Sequence, residues 1–362
     1  MSPEMKNLPL PRFPIFAAAA LAALSPLNAP GEIETVTYGN FEISYFGTGD
    51  TDSDWLTSEM TGVMDWTSEM KSGVERSLNY WNSVITNDSN SAVKIACIWD
   101  TTLSSSTLGG ATSANYYDFG TGITLTATEA LWREGISATD VSKASSSKYA
   151  VVFQLSTSAN FYYGESASGI GSNQYDFQSM FTHEIGHAMG FTSFCEKAGW
   201  SESIELIGSY KTENVLQAST FDTLMVTKDE NGDYVQVISE AAEKTIFNTT
   251  KLENATGYST GTQYALALDE EGSLSNLLVY NPSDFEDGSS MSHVYSEDAS
   301  ETDPLMYKSL NNGEVRRELL EGELEILAAM GWSVIPEPSA FGLLAGAFAL
   351  ALVSVRRRRK IS

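Results

Sequence analysis

Basic residues are scarce in this chain. Of its 362 residues, 21 are Lys or Arg and 47 are Asp or Glu, so its formal net charge at pH 7 is −26. Because the phosphates of nucleic acids attract basic surfaces, this balance argues against DNA or RNA as a partner. Hydrophobic residues make up 42% of the chain and charged residues 19%, which excludes a mainly disordered protein. We expect a folded, strongly solvated body that is a monomer.

Cysteine is equally scarce, with only Cys97 and Cys195 in the chain. They lie far apart in sequence, and no CxxC spacing points to a cysteine metal site. In an oxidising compartment the two thiols could form a disulfide that closes a long loop. Two separately buried thiols are the alternative.

The longest apolar runs lie at the two ends of the chain. Residues 1–30 carry two basic residues, then the apolar run 13–24 (FPIFAAAALAAL), then small residues and Pro. This order of charge, apolar core and small-residue exit is typical of a secretory signal peptide. We therefore predict that residues 1–30 direct export and are removed, the alternative being a buried helix.

The C-terminal end has three parts. A Pro-Glu-Pro sequence at 336–338 precedes the uncharged segment 339–355 and the basic tail RRRRK. As a helix this segment would be about 25 Å long, slightly short of the roughly 30 Å hydrocarbon core of a bilayer, and the basic tail predicts a cytoplasmic end. Residues 336–362 closely resemble the PEP-CTERM sorting signal of Gram-negative bacteria.

That resemblance implies a location. It predicts export from a Gram-negative bacterium, transient anchorage in the inner membrane through segment 339–355, and cleavage near 336–338 by an exosortase. A permanent single-span anchor is the alternative. Either arrangement places the body of the protein in the cell envelope or the extracellular matrix.

The body, residues 31–335, mixes strand and helix patterns. Apolar alternation or continuous apolar runs predict strands over 36–46, 92–99, 123–126 and 149–155. Apolar residues three and four apart predict helices over 67–85, 175–190 and 313–329. The segments expected to be irregular are 104–117, rich in Ser, Gly and Thr, and 156–174, suited to a cleft rim. A long mixed insertion covers about 194–290, with strands near 224–237 and 274–280.

The segment THEIGHAMGF carries the chemistry. It lies in the predicted helix 175–190, where residues four apart share a face, so His183 and His187 can direct their imidazoles at one metal ion. Zn²⁺ accepts imidazole nitrogen, and a catalytic zinc site has three protein ligands and keeps a position for water. Glu184, beside the first ligand, can reach that water without binding the metal. We expect Asp176 to cap the helix and Gly190 to end it.

The third ligand must come from elsewhere in the chain. Only His293 remains, because the sequence has three histidines in total. It follows a polar, Gly-containing loop, which is a suitable place for a ligand that approaches the helix from a distance. One metal site therefore accounts for every histidine in the protein.

These residues resemble the metzincin zinc peptidases, whose pattern is HExxHxxGxxH followed by a methionine turn beneath the metal. His183, Glu184, His187 and Gly190 match this pattern, whereas Ser193 stands where the third histidine is usual. In the leishmanolysin-like branch the third histidine arrives after an insertion. Met306, in the sequence PLMY, looks like the methionine turn of matrixins. The resemblance extends over residues 36–333.

The resemblance implies a fold and an activity. The expected fold class is α+β, with a twisted mixed sheet, an active-site helix, the long insertion and a C-terminal helix. The expected activity is that of a zinc metalloendopeptidase in which Glu184 is the general base. Tyr307 is a candidate for stabilising the oxyanion, with packing beside the methionine turn as the alternative. An edge strand at 153–156 could pair with an extended protein or peptide substrate.

Two other classes of function stay open. A zinc-binding but catalytically silent adhesin of the surface or exopolysaccharide matrix would keep the fold and lose turnover. A purely structural matrix component would need only the sorting signal. The acidic clusters 229–230 and 269–271 are read as solvated surface, with Ca²⁺ binding as the alternative. The presence of Glu184 favours the enzyme, because a non-enzyme has no evident need of it.

Overall fold

The computed structural model describes residues 33–335 except 56–57, 88, 90, 104–106, 118–122, 146, 198–202, 207–217, 238–257, 260–262, 270 and 298–301. The predicted signal peptide and the predicted sorting signal lie outside the described residues. Within the described part of the chain, no helix is both long and apolar enough to cross a membrane.

The described residues form short strands and helices. In chain order the strands are β1 (Glu34–Tyr38), β2 (Phe41–Phe46), β3 (Thr51–Trp55), β4 (Ser58–Thr61), β5 (Val93–Asp100), β6 (Gly109–Ser113), β7 (Asn115–Tyr117), β8 (Thr124–Thr126), β9 (Val151–Ser156), β10 (Phe161–Tyr162), β11 (Tyr175–Asp176), β12 (Cys195–Lys197), β13 (Ser203–Leu206), β14 (Met225–Lys228), β15 (Tyr234–Gln236), β16 (Tyr258–Ser259), β17 (Tyr264–Ala267), β18 (Leu274–Val279) and β19 (Val294–Tyr295). The α-helices are α1 (Ser68–Val84), α2 (Ala138–Ser145), α3 (Phe177–Ala188), α4 (Thr220–Thr223) and α5 (Glu321–Ala329), and a single π-helical turn covers Glu129–Arg133.

A mixed sheet forms the centre of the body. Its strand order is β1-β2-β5-β9-β6, with β2, β5 and β9 parallel and both outer pairs antiparallel. The inner strands β5 and β9 are almost continuously apolar because both faces of the sheet are covered. The α+β class with a mixed sheet is therefore confirmed.

Helices α1 and α3 pack against each other beside this sheet. The apolar residues Val74, Leu78 and Trp81 recur at helical spacing on α1 and are fully buried. The Trp81 indole N–H donates to the Thr182 carbonyl of α3, at 3.0 Å. On its other side α3 meets the sheet through Phe181, whose ring lies edge-on to Phe153 of β9 at 4.8 Å. This packing fixes the helix that carries the HExxH residues.

The insertion forms a second sheet. Its order is β15-β14-β17-β18-β19, and every neighbouring pair is antiparallel. The predicted strands at 224–237 and 274–280 are confirmed as the hairpin β14–β15 and as β18. His293 directly precedes the edge strand β19, which begins at Val294. It therefore lies at the edge of this second sheet.

Three sequence predictions need correction. Residues 36–46 are not one strand but the hairpin β1–β2, because Gly39 turns the chain with a φ of +60°. Residues 104–117 are not all loop, since they contain β6 and β7. The strand at 153–156 is not an edge, because β9 pairs with both β5 and β6. The edge strand next to β9 is β6, whose sequence GGATS has no apolar alternation to reveal it.

The last helix differs from expectation, and the cysteines follow one of the two alternatives. The helix predicted over 313–329 begins only at Glu321, because the residues before it follow an extended and turning path. Cys97 and Cys195 are two separate buried thiols and form no disulfide. Cys97 lies in the middle of the central strand β5, whereas the Cys195 sulfur faces the Asp222 carboxylate at 3.9 Å. The second of the two alternatives is therefore correct.

Candidate metal centre

Helix α3 is defined at both ends by residues visible in the sequence. The Asp176 carboxylate caps it by accepting the Ser179 backbone N–H at 2.8 Å, and Arg317 pairs with the same carboxylate at 2.6 Å. Gly190 follows the helix with a φ of +103°. A Cβ atom there would lie 2.6 Å from Met330 Cε and 2.8 Å from Glu129 Cδ. Glycine is therefore required on both backbone and steric grounds, and both predicted helix ends are confirmed.

The three histidines converge on one point. His183 Nε2 lies 3.1 Å from His187 Nε2 and 3.2 Å from His293 Nε2. One ligand atom from each residue falls within 4.8 Å of the others, so the group could hold a metal ion. The structure thus brings together the three histidines predicted to share one metal site.

Backbone carbonyls orient each imidazole. The Nδ1 atoms of His183, His187 and His293 lie 2.8, 2.5 and 2.7 Å from the carbonyl oxygens of Leu305, Phe191 and Ser289 respectively. A carbonyl can only accept, so each Nδ1 carries the proton and each Nε2 presents its lone pair to the other two. Three facing lone pairs repel one another unless a cation lies between them.

The donor set fits Zn²⁺. Tetrahedral coordination with Zn–N bonds of 2.0–2.1 Å separates ligand nitrogens by about 3.3 Å, close to the spacing of the Nε2 atoms. Burial lowers the pKa of all three imidazoles, that of His293 to about 3. They are therefore neutral at physiological pH, as metal ligands must be. Imidazole nitrogen also suits copper, iron and nickel, so the geometry alone does not select the metal.

The Glu184 side chain extends from α3 to the edge strand β6 of the main sheet. It is 7% exposed, and burial raises its pKa to about 7, although the Ala111 backbone N–H of β6 stabilises the carboxylate. Its carboxylate is not among the grouped metal ligands. This placement allows Glu184 to handle a proton beside the histidines without binding the ion itself.

Met306 packs directly beneath the ligand helix. Its side chain is fully buried, and a Cβ added at Gly186, between the two helix ligands, would collide with the Met306 sulfur. The backbone around Met306 also supports two parts of the site. The Leu305 carbonyl accepts from His183 Nδ1, and the Met306 carbonyl accepts the N–H of Val294, the residue after His293. The predicted position of Met306 below the site agrees with this packing.

The backbone at Leu305 and Met306 is held by a buried carboxylate that was not predicted from the sequence. Glu323 of α5 accepts the backbone N–H groups of Met306, Leu305 and Leu320 at 2.6, 3.1 and 2.7 Å. Burial raises its pKa to about 7 against the effect of these donors and of Arg316. In the sequence Glu323 resembles any acidic residue in the first turn of a helix, so no signal distinguished it.

A cleft of about 600 Å³ opens in front of the histidines. Its walls include Gly109, Gly110 and Ala111 of β6, together with Tyr307, Lys308 and Arg316. Tyr307 therefore reaches the cleft, with the Arg316 guanidinium 5.6 Å from its ring. The wall expected from residues 153–156 is instead supplied by β6.

The first aspartate of each acidic cluster accepts backbone hydrogen bonds in a turn. The Asp229 carboxylate accepts the backbone N–H groups of Asn231 and Asp233 at 2.8 and 3.0 Å, and Asp269 accepts that of Ser273 at 2.8 Å. The Asp233 N–H lowers the pKa of Asp229, and the Ser273 hydroxyl and N–H lower the pKa of Asp269. These contacts agree with the interpretation of the two aspartates as solvated surface, and Ca²⁺ binding stays an untested alternative.

Comparison with known proteins gives one partial match. A family model described as SPBPB7E8-like matches residues 137–267. The matched range contains α3 with His183, Glu184 and His187, but it is shorter than half of the chain and ends before His293 and Met306. No curated protein and no solved structure is detectably similar to the chain.

Proposed function

We propose that this protein is a zinc-dependent endopeptidase with a metzincin-like arrangement of its active site. The observation that carries the proposal is the convergence of three Nε2 lone pairs, each fixed by a backbone carbonyl, beside a buried Glu184 that stays outside the ligand set. A site built only for structure would satisfy a zinc ion with four protein ligands, whereas three leave a position for water.

The substrate is an extended segment of an extracellular protein. Strand β6 is one of the two edge strands of the main sheet and borders the cleft. A peptide lying along it can form backbone hydrogen bonds with its outer side. No described atom lies within 4 Å of a Cβ placed on Gly110, so there is room for substrate side chains on this face of the strand. In this proposal the scissile bond lies near the middle of the strand, where the Ala111 N–H faces Glu184.

Glu184 moves the proton in the proposed reaction. A Zn²⁺ ion held by the three imidazoles would polarise the scissile carbonyl and lower the pKa of a water molecule. Glu184 accepts one proton from that water at its carboxylate while the oxygen adds to the carbonyl carbon. It then gives the proton to the amine nitrogen as the C–N bond breaks. Burial of this carboxylate favours its uptake of the proton.

Tyr307 is the candidate hydrogen-bond donor to the carbonyl oxygen. It follows the methionine turn and lines the cleft with His183 and Glu184. A phenol in this place can donate to the oxygen on which negative charge develops. Export and sorting by the two ends of the chain, with the body in the envelope or matrix, belong to the same proposal.

The test compares the full-length chain with its Glu184→Gln variant. Gln keeps the shape of Glu and cannot act as a base, so we expect hydrolysis of an unstructured protein substrate to fall by roughly 100-fold or more. Zinc content should stay at one ion per chain in both proteins. Cleavage by the wild type must also stop when a chelator removes the metal.

Two outcomes favour other functions. Zinc at one ion per chain without cleavage by either protein would support the silent adhesin. Absence of zinc from the wild type would remove the metal site itself and leave a structural matrix component as the better interpretation.

A further inference from the structure

Asp222 is a buried carboxylate of the insertion that the proposed reaction does not use. It lies on the short helix α4 and is fully buried. It accepts the Ser219 backbone N–H at 2.9 Å, and the Ser219 hydroxyl accepts the Asp222 N–H at 3.0 Å. These two bonds form a capping box, which accounts for only part of the hydrogen-bonding capacity of the carboxylate.

The Asp222 carboxylate also accepts hydrogen bonds from the segment that follows α3. Its Oδ2 accepts the Phe194 N–H at 3.1 Å, and its carboxylate also accepts the Ser193 hydroxyl. Ser219 adds a third connection, because its hydroxyl donates to the Thr192 carbonyl at 2.5 Å. Helix α4 therefore holds residues 191–195, here called the post-helix segment.

The post-helix segment in turn contacts one candidate ligand and the residue that precedes another. Its first residue, Phe191, provides the carbonyl that accepts from His187 Nδ1 at 2.5 Å. Its third residue, Ser193, donates its backbone N–H to the Ser292 hydroxyl oxygen at 3.0 Å. Ser292 directly precedes His293. One short segment thus orients a helix ligand and fastens the loop that carries the distal ligand.

We propose that Asp222 is a positioning residue for the metal centre, acting on His187 and His293 through the post-helix segment. The insertion is then a part of the metal site. Without the carboxylate, Phe194 N–H and the Ser193 hydroxyl lose their buried acceptor, and the segment no longer has one preferred position. The two imidazoles would then converge less well on the ion. This proposal rests on the proposed function only in requiring that the three histidines bind metal.

The experiment measures metal binding by the full-length chain carrying Asp222→Asn. The asparagine keeps the size of the side chain but has one acceptor oxygen instead of two. Asp229→Asn is the matched control, because Asp229 lies in the same insertion and also accepts backbone N–H groups, but on the β14–β15 turn. Zn²⁺ affinity is measured by competition with a chromogenic chelator, and the coordination geometry by the visible absorption of the Co²⁺-loaded protein.

We expect Asp222→Asn to weaken Zn²⁺ binding by about 10-fold or more, as is typical for partners that orient metal ligands. Its Co²⁺ absorption bands should also shift or weaken, and a purely structural role would leave them unchanged below the unfolding temperature. Asp229→Asn should match the wild type in both measurements.

Ser292→Ala provides a second and milder variant. It removes the acceptor of the Ser193 N–H and should weaken Zn²⁺ binding several-fold. Because Asp222 and Ser292 act in one chain of contacts, the double variant should lose much less affinity than the product of the two single losses. Independent effects that multiply would contradict the connection. If Asp222→Asn does not fold, wild-type affinity in Ser292→Ala is enough to overturn the proposal.

The outcomes separate this proposal from the proposed function. Wild-type binding of Zn²⁺ with an unchanged Asp222→Asn variant would refute only the positioning role. Binding that depends on Asp222 without any peptide hydrolysis would support the positioning role and refute the peptidase. A wild-type protein that binds neither Zn²⁺ nor Co²⁺ would refute both.

Discussion

The two halves of the candidate metal centre are built in different ways. The helix half, on α3, presents His183 and His187 one turn apart, and the hydrogen bonds of the helix itself fix their backbone. The loop half consists of residues 286–293 and 304–308 and presents His293 from a loop. Its backbone is held by distant partners, since Tyr280 N–H donates to His293 O at 2.7 Å and Val294 N–H donates to Met306 O at 3.0 Å. The helix half can form locally, whereas the loop half requires most of the fold.

The loop half also has an unfavourable backbone conformation. Met291, two residues before His293, has a φ of +70° and a fully buried side chain. The left-handed region costs a non-glycine residue roughly 1 kcal/mol or more. Surrounding contacts must therefore impose this conformation, and one of them is the Met291 N–H bond to Tyr280 O at 2.8 Å. Because His293 depends on such contacts, substitutions far from the metal can displace it.

Replacing one ligand in each half tests whether both belong to one site. His187→Ala and His293→Ala should each lower Zn²⁺ affinity by more than about 100-fold, because a ligand itself contributes more than a partner that orients it. Competition with a chromogenic chelator measures the affinity. The Asp229→Asn variant again serves as the control. Full affinity in His293→Ala would mean that the helix half binds zinc without the loop.

The sequence predicted the helix half almost completely. His183, Glu184, His187, Asp176 and Gly190 act through spacing and capping within a short stretch of chain, and such local relations can be read from residue order. His293 was found by elimination, which worked because the chain has only three histidines. A histidine-rich protein would have given no such answer.

The parts that were missed depend on contacts between distant residues. Strand β6 has a composition typical of loops, and only its pairing with β9 makes it a strand. The apolar spacing at 313–329 suggested a longer helix. Arg316 instead donates to the Pro304 carbonyl at 2.8 Å, and its backbone N–H donates to the Ser179 hydroxyl at 2.7 Å. These tertiary bonds outweigh the local helical preference.

Glu323→Gln tests the support of the loop half at different pH values. The pKa of Glu323 is raised from 4.5 to about 7 by burial. A carboxyl whose pKa is higher in the folded state contributes stability that is complete below the unfolded pKa and is lost as pH rises through the folded value. As the pH rises from about 4 to about 8, the free energy of unfolding of the wild type should therefore fall by roughly 3 kcal/mol relative to that of the variant.

Denaturant unfolding of both proteins at each pH measures this difference. Because the comparison is made at equal pH, the other titrating groups contribute almost equally to both proteins. The Gln side chain replaces one acceptor with a donor facing backbone N–H groups, so the variant should be the less stable protein at low pH. A stability difference that does not change with pH would mean that Glu323 keeps an ordinary pKa.

The smallest expected effect concerns Lys308, which joins the two parts of the loop half. Its ammonium lies 2.9 Å from Glu286 Oε1, hydrogen-bonds to the Tyr280 hydroxyl and lies 4.3 Å from the Tyr280 ring. The Lys308 and Glu286 side chains are 25% and 44% exposed, so water and salt screen their attraction. Lys308→Met should therefore lower the free energy of unfolding by less than about 1 kcal/mol.

A matched variant shows whether this small effect is specific to the metal centre. Lys94 pairs with Glu42 at 3.5 Å on the main sheet, away from the cleft. Lys94→Met should change stability about as little as Lys308→Met and leave Zn²⁺ affinity unchanged. Lys308→Met should weaken Zn²⁺ binding by a few-fold, because it loosens the loop whose Ser289 carbonyl orients His293. Equal Zn²⁺ affinity in the two variants would show that the backbone bonds of Tyr280 and Met306 are sufficient to hold the loop half.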